Sequence, residues 1–151
     1  MGQEEFATWE EVPIGYSDPP YSGVLQREQV AKFVDAVEET NPLFCDEKLA
    51  RGTEWGGIIS PCTASQMYGG GGPRASRPGE GTRKAPAGGI HAKQNYEFYH
   101  LARVGDVLTC RTTITDKYIR RERKYVVQET VTTNQDGQVI CIARGTTIRP
   151  A

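Results

Sequence analysis

The stretch VLTCRTTITDKYIRRERKYVVQETVTTNQDGQVICIARGTTIR, residues 107–149, decides the fold. Within it Val107 to Arg120, Arg123 to Thr133 and Val139 to Arg149 alternate apolar and polar side chains, as in Ile140, Ile142 and Ile148 against Arg144 and Thr146. A period of two, rich in Thr, Val, Ile and Tyr, predicts half-buried antiparallel strands. Asn134-Gln135-Asp136-Gly137-Gln138 has the turn chemistry to join the last two as a hairpin. Upstream, His91 to His100 predicts a further strand and Val104-Gly105-Asp106 the turn after it, while an early strand is predicted near Trp9 to Ile14.

Before residue 69 the periodicity is helical. Gln26 to Glu39 carries Val30, Phe33, Val34 and Val37 at i, i+3, i+4 and i+7, with charged residues between them, which predicts an amphipathic helix with that stripe in the core. Asn41-Pro42 ends it, because the residue before a proline is pushed out of the α region. Asp46 to Arg51 predicts a short helix capped by Asp46 and stopped by Gly52. In Gly56 to Tyr68, Ser60 is the expected N-cap and Pro61 the first helical residue of a buried helix start. Gly69 to Gly89 has almost nothing to bury and predicts a loop inside one domain spanning residues 1–151. Arg74, Arg77, Arg83 and Lys84 make that loop locally basic; it is read first as a solvated loop, and alternatively as a help in holding a phosphate-bearing ligand. Its glycines are not a P-loop, since no Gly-Lys-Ser/Thr follows them.

Composition removes several function classes. A formal net charge of −1, from 18 basic and 19 acidic residues, creates no field to recruit nucleic acid or a membrane surface. No apolar run approaches the roughly 20 residues of a membrane span, and the start Met-Gly-Gln-Glu-Glu lacks a signal core, so a cytoplasmic protein is expected. Phe6 stands where a myristoylation signal needs Ser or Thr. The four cysteines, Cys45, Cys62, Cys110 and Cys141, have neither Cys-x-x-Cys spacing nor a nearby His, so they are expected to be reduced and mostly packed, with no metal site.

A helical region followed by long antiparallel strands implies an α+β arrangement in which a sheet wraps round a helix, which is the hot-dog fold. Four segments, in order, resemble the MaoC-like dehydratase family. Ala36-Val37-Glu38-Glu39-Thr40-Asn41-Pro42-Leu43-Phe44 is similar to its hydratase segment, Gly57-Ile58-Ile59-Ser60-Pro61-Cys62-Thr63 to its Gly-Ile-Val-Ala-Pro-Pro-Thr stretch, His91 to His100 with Val104-Gly105-Asp106 to its His-Gly-Glu-Gln strand and turn, and Asp136 to Thr146 to its closing strand. The second segment is typical of the N-terminal half of double hot-dog dehydratases and of the matching subunit of two-chain enzymes. The resemblance implies an (R)-specific enoyl-CoA hydratase or 3-hydroxyacyl dehydratase acting on an acyl-CoA or acyl-carrier thioester, with coenzyme A as part of the substrate and no separate cofactor.

In that family a His activates water, an Asp two residues before Asn-Pro orients it, and a backbone N–H near the central helix start polarises the thioester carbonyl. Here Glu39 stands at the Asp position and Phe44 at the His position. Phenylalanine carries no proton, and losing a positioned base costs roughly 10²-fold to 10⁴-fold. The leading reading is therefore an acyl-binding, non-catalytic half of a heteromer whose second hot-dog subunit supplies Asp and His. Asn41, Pro61, Cys62 and Thr63, with Arg74, Arg77, Arg83 and Lys84, are the implied substrate-binding residues. One alternative is a self-sufficient homodimer, either a hydratase using Glu39 and His91 or a thioesterase using Glu39; another is a non-catalytic acyl-CoA binding module. Each catalytic candidate also has a plain structural reading: Glu39 as a solvated helix end, His91 as a hydrogen-bonded residue at a strand start, His100 as an exposed residue where a strand leaves the sheet.

Overall fold

The computed structural model describes residues 8–68 and 89–149, so the basic segment holding Arg74, Arg77, Arg83 and Lys84 lies outside the described residues. The elements run β1 (Tyr21–Val24), α1 (Arg27–Ala36), a 3₁₀ turn (Pro42–Phe44), α2 (Glu47–Arg51), a second 3₁₀ turn (Cys62–Ala64), α3 (Ser65–Tyr68), β2 (Ile90–Phe98), β3 (Val107–Arg120), β4 (Arg123–Thr133) and β5 (Val139–Ile148). The strands form one antiparallel sheet in the order β1-β3-β4-β5-β2. β3 and β4 have the ends their alternation predicts, and Gly137, at φ +77°, makes the β4–β5 turn. This is the expected α+β hot-dog arrangement.

Register separates the two faces. Cys110, Thr132, Cys141 and Phe98 stand in one row across β3, β4, β5 and β2, and Thr112, Thr130, Ala143 and Tyr96 in the next. Cys110, Thr132, Cys141, Thr130 and Ala143 are all buried, so this is the inner face. On the outer face Arg144 bonds Glu129 at 2.6 Å and also pairs with Glu97, tying the edge strand β2 to β5 and β4. The Arg144 guanidinium holds the Glu97 carboxyl below its ordinary range.

Three separate segments cover the inner face. At one end α1 and α2 bury Val30, Val34 and Ala50 against Ile58, Leu108 and Ile140. In the middle lies Ser60–Tyr68, anchored where the Ser60 N–H donates to the Ala102 carbonyl at 2.8 Å. At the far end the N-terminal segment buries Val12 against Ile114 and Val126, each worth about 1.5–3 kcal/mol.

That last segment corrects the strand predicted near Trp9 to Ile14. Pro13 and Gly15 (φ +86°) turn the chain, and the segment acts as a plug. Trp9 Nε1 donates to the Tyr125 carbonyl at 2.9 Å, and the Lys117 ammonium stands 4.6 Å over the indole. The early strand is β1 instead.

The first helix is also shorter than its apolar pattern. It stops at Ala36, and Glu38 takes a left-handed conformation (φ +54°) while the Glu39 N–H reaches back to the Val34 carbonyl at 3.0 Å. Val30 and Val34 are buried as expected, but Val37 has left the stripe and is 52% exposed. Asp46 caps α2 through the Leu49 N–H at 3.0 Å, as predicted. Ser60 does not cap: Pro61 holds the N-cap position, and the Ser60 hydroxyl turns to the Pro61 carbonyl at 3.3 Å.

The β3–β4 hairpin turns on two residues, Arg121 (φ +49°) and Glu122 (φ +61°), both left-handed and neither of them glycine. Such a residue costs roughly 1–2 kcal/mol. Glu122→Gly should therefore raise Tm by about 2–4 °C, read from a reversible thermal melt; an unchanged or lower Tm would show the turn to be unstrained.

Candidate functional site

Glu39 and Phe44, the positions that the resemblance assigns to a catalytic pair, lie at the exit of α1. Glu39 Oε1 accepts hydrogen bonds from the Thr40 and Asn41 N–H groups, both at 2.9 Å. Asn41 Oδ1 in turn accepts the Leu43 N–H at 3.0 Å and starts the Pro42–Phe44 turn. These bonds satisfy backbone donors of the loop after α1 and of the first turn of the 3₁₀ segment that follows it. Glu39 is exposed, as the plain reading expected, but its carboxylate is engaged in shaping the loop. Phe44 packs its ring against the Val34–Ile58 end of the core. The place of a base is thus filled by a hydrophobic contact.

Glu39 and Phe44 line a groove of about 420 Å³ together with Arg27, Val34, Cys45 and Ile58. His91 does not line it. His91 is exposed at the start of β2, opposite Thr147 and beside a bulge before Lys93, in the row of Val126 and Lys117 at the far end of the sheet. One protomer therefore does not assemble Glu39 and His91 into a pair. His100 is exposed, in line with its plain structural reading. Its Nδ1 lies 2.8 Å from the Val139 carbonyl, an oxygen that can only accept, so in this hydrogen bond the Nδ1–H is the donor. His100 lines a second groove of about 430 Å³ with Trp55, Phe98, Tyr99, Leu101 and Arg103. No motif singles this groove out, because its walls come from three separate stretches of sequence.

The Pro61–Ser65 segment is brought to the inner face. Ser60, Ala64 and Ser65 are buried, and the Tyr68 carbonyl accepts the Cys110 thiol and the Tyr21 hydroxyl, both at 2.7 Å. Small side chains allow this approach to the Cys110–Thr132–Cys141 row. The Cys62 and Thr63 N–H groups precede the first turn bond, from Ala64 to Pro61, and have no partner within the turn. Burial, the largest cause, pushes the Tyr68 phenol well above its ordinary range and raises the Cys141 thiol. The hydroxyl of Ser65 is fully buried without a hydrogen-bond partner among the described residues. Among the described residues no cluster of His, Cys, Asp and Glu is set to hold a metal, and no helix is long and apolar enough to cross a membrane.

If Glu39 is a loop-shaping acceptor, Glu39→Gln should keep Tm while Glu39→Ala lowers it by about 2–4 °C. Neither should change by more than a few-fold the hydration rate of whatever complex the chain enters. A 10²-fold to 10⁴-fold loss in the Gln variant would make Glu39 a proton-transfer group instead.

Residues 13–143 match the family model described as FAS1-like, dehydratase domain region. A curated relative, a UPF0336 protein of Thermobifida fusca, is 30% identical over 104 residues, covering 64% of this chain; the chain spans 62% of that relative's length. Among solved structures, R-hydratase PhaJ1 from Pseudomonas aeruginosa superposes with a TM-score of 0.72 at 18% identity, over 94% of this chain and 84% of that one. The HadBC (3R-hydroxyacyl-ACP dehydratase) complex from Mycobacterium tuberculosis gives a TM-score of 0.72 at 23% identity, over 89% and 96%. The chain belongs to the FAS1-like dehydratase-region family, and its fold is the hot-dog fold of the MaoC-like dehydratases.

Proposed function

We propose that this chain is the acyl-binding, non-catalytic half of an (R)-specific acyl-thioester hydratase or dehydratase, working against a second hot-dog subunit. The observation that carries this reading is the α1 exit: Phe44 packs into the core where a base would stand, and the Glu39 carboxylate accepts two backbone N–H groups. Hydration adds the hydroxyl of water to the β-carbon of an enoyl thioester and a proton to the α-carbon. It needs a proton acceptor and donor at the site, which the partner's Asp and His supply, and it needs no redox cofactor. The Cys62 and Thr63 N–H groups are candidates to polarise the thioester carbonyl, with Asn41 and Pro61 shaping the approach to it. Arg74, Arg77, Arg83 and Lys84 are proposed to meet the phosphate-bearing end of the substrate.

The sheet edges support a second subunit. β1 is a four-residue edge, whereas β2 presents nine residues along the other edge, with Ile90, Phe98 and the following Tyr99 at 57%, 44% and 54% exposure. A long open edge with apolar residues at its ends invites strand pairing. HadBC, one of the similar structures, is itself a complex. The free thiols fit a reducing compartment, and we place the protein in the cytoplasm.

The test compares hydration of enoyl-CoA esters by this chain, by a catalytic hot-dog partner from the same host, and by their mixture. The lone chain should be at least 10²-fold slower than the mixture, and His91→Ala should leave the mixture unchanged. A lone chain as fast as the mixture, silenced by His91→Ala, would assign the base to His91 and end the division of labour.

A further inference from the structure

The β3–β4 hairpin end concentrates positive charge in a chain of net charge −1: Lys117, Arg120, Arg121, Arg123 and Lys124 against Asp116, Glu122 and, from the N-terminal segment, Glu10. The lysines are engaged, Lys117 with the Trp9 and Glu10 carbonyls and Lys124 with the Glu10 carboxylate at 2.6 Å. The three arginines are exposed, and no acidic side chain among the described residues pairs with them. Arg120 and Arg123 face each other on the outer side of the sheet, bordering the row Tyr118, Tyr125, Ile148 and Ile90 that crosses four strands. Tyr118 and Tyr125 stack at 4.8 Å, and Tyr118 and Ile90 remain 37% and 57% exposed. The tip holds Arg121 and Glu122 in left-handed conformations that Gly or Asn would take at lower cost.

From these features we infer that the hairpin end docks the acidic face of a protein, namely the carrier that presents the acyl group as a thioester; the carrier's role rests on the function proposed above. A small phosphate ligand needs donors converging on a concavity, and neither described groove contains these arginines. Guanidinium forks along an apolar row instead match carboxylates spread over a protein surface. Two-fold pairing of β2 edges runs them antiparallel, so Ile90 of one subunit approaches the other end of its partner's strand. A carrier docked here would stand beside the other subunit's half of the site.

The experiment uses the complex with its catalytic partner and measures binding of the host's holo acyl carrier protein at two ionic strengths. Binding should weaken with salt, fall about tenfold or more in the Arg120→Ser/Arg121→Ser/Arg123→Ser variant, and tighten in Glu122→Lys. In the triple variant KM for carrier-linked enoyl substrate should rise while kcat holds, with Tm confirming the fold. Unchanged carrier binding in that variant overturns the proposal. So does an equal loss against enoyl-CoA, which would assign the arginines to nucleotide phosphates, or binding of anionic vesicles or single-stranded DNA in place of the carrier. Carrier binding that the variant abolishes, in a complex that hydrates nothing, sustains the docking surface and removes the hydratase reading.

Discussion

Everything in this fold answers to one constraint: the apolar inner face of the sheet must be covered along its whole length. β3 has 14 residues, roughly 45 Å of strand, and no one helix among the described residues is long enough for that. The cover is therefore made in three pieces, the α1–α2 pair, the Ser60–Tyr68 segment and the N-terminal plug around Val12. The middle piece sets the tightest condition. The α3 end comes close enough for the Cys110 thiol to bond the Tyr68 carbonyl, which requires the small row Cys110–Thr132–Cys141 beneath it. Larger side chains there would lift the segment and open the core beside it.

The same constraint explains what became of the catalytic positions. The exit of α1 must place Phe44 on the core, and Asn41 and Glu39 hold the loop that delivers it. A histidine at Phe44 would bring a polar ring to an apolar contact, with a desolvation cost unless a partner group met it. On the division of labour proposed above, the aromatic ring is the better filler, and the absence of a base at residue 44 goes with a packed loop.

How much of this was legible in the sequence depends on the length scale of each feature. β3 and β4 could be read end to end because strand alternation is a local signal sustained over many residues. Trp9 to Ile14 misled because a plug also needs apolar residues, and whether Val12 meets a neighbouring strand's backbone or the side chains of Ile114 and Val126 is a tertiary fact. Val37 kept the helical period yet left the core, since the cap that ends α1 uses a left-handed glutamate that no propensity announces. At the site, the substitutions at residues 39 and 44 were readable against the family pattern. The engagement of the Glu39 carboxylate was not, nor was the groove at His100, whose walls only the turn after β2 and the loop at Trp55 bring together.

The two sheet edges finally differ in what they leave open to another strand. β1 is short, and the Ser22 and Thr109 hydroxyls pair at 2.7 Å where it meets β3, so it offers little backbone to a newcomer. β2 is more than twice as long, and Arg144 anchors it from the outer face by pairing with both Glu97 and Glu129. Beyond the bulge before Lys93, these side-chain pairs fix the Lys93–Phe98 part of β2 on the sheet and leave its outer backbone groups open to another strand. Pairing there would also cover part of Phe98 and Tyr99, which stay 44% and 54% exposed although Phe98 stacks on Tyr96 and the Tyr99 hydroxyl donates to Glu97. An open edge of this length is a template for another strand, so the pairing invoked by the proposed function rests on the packing and is independent of the chemistry assigned to the site.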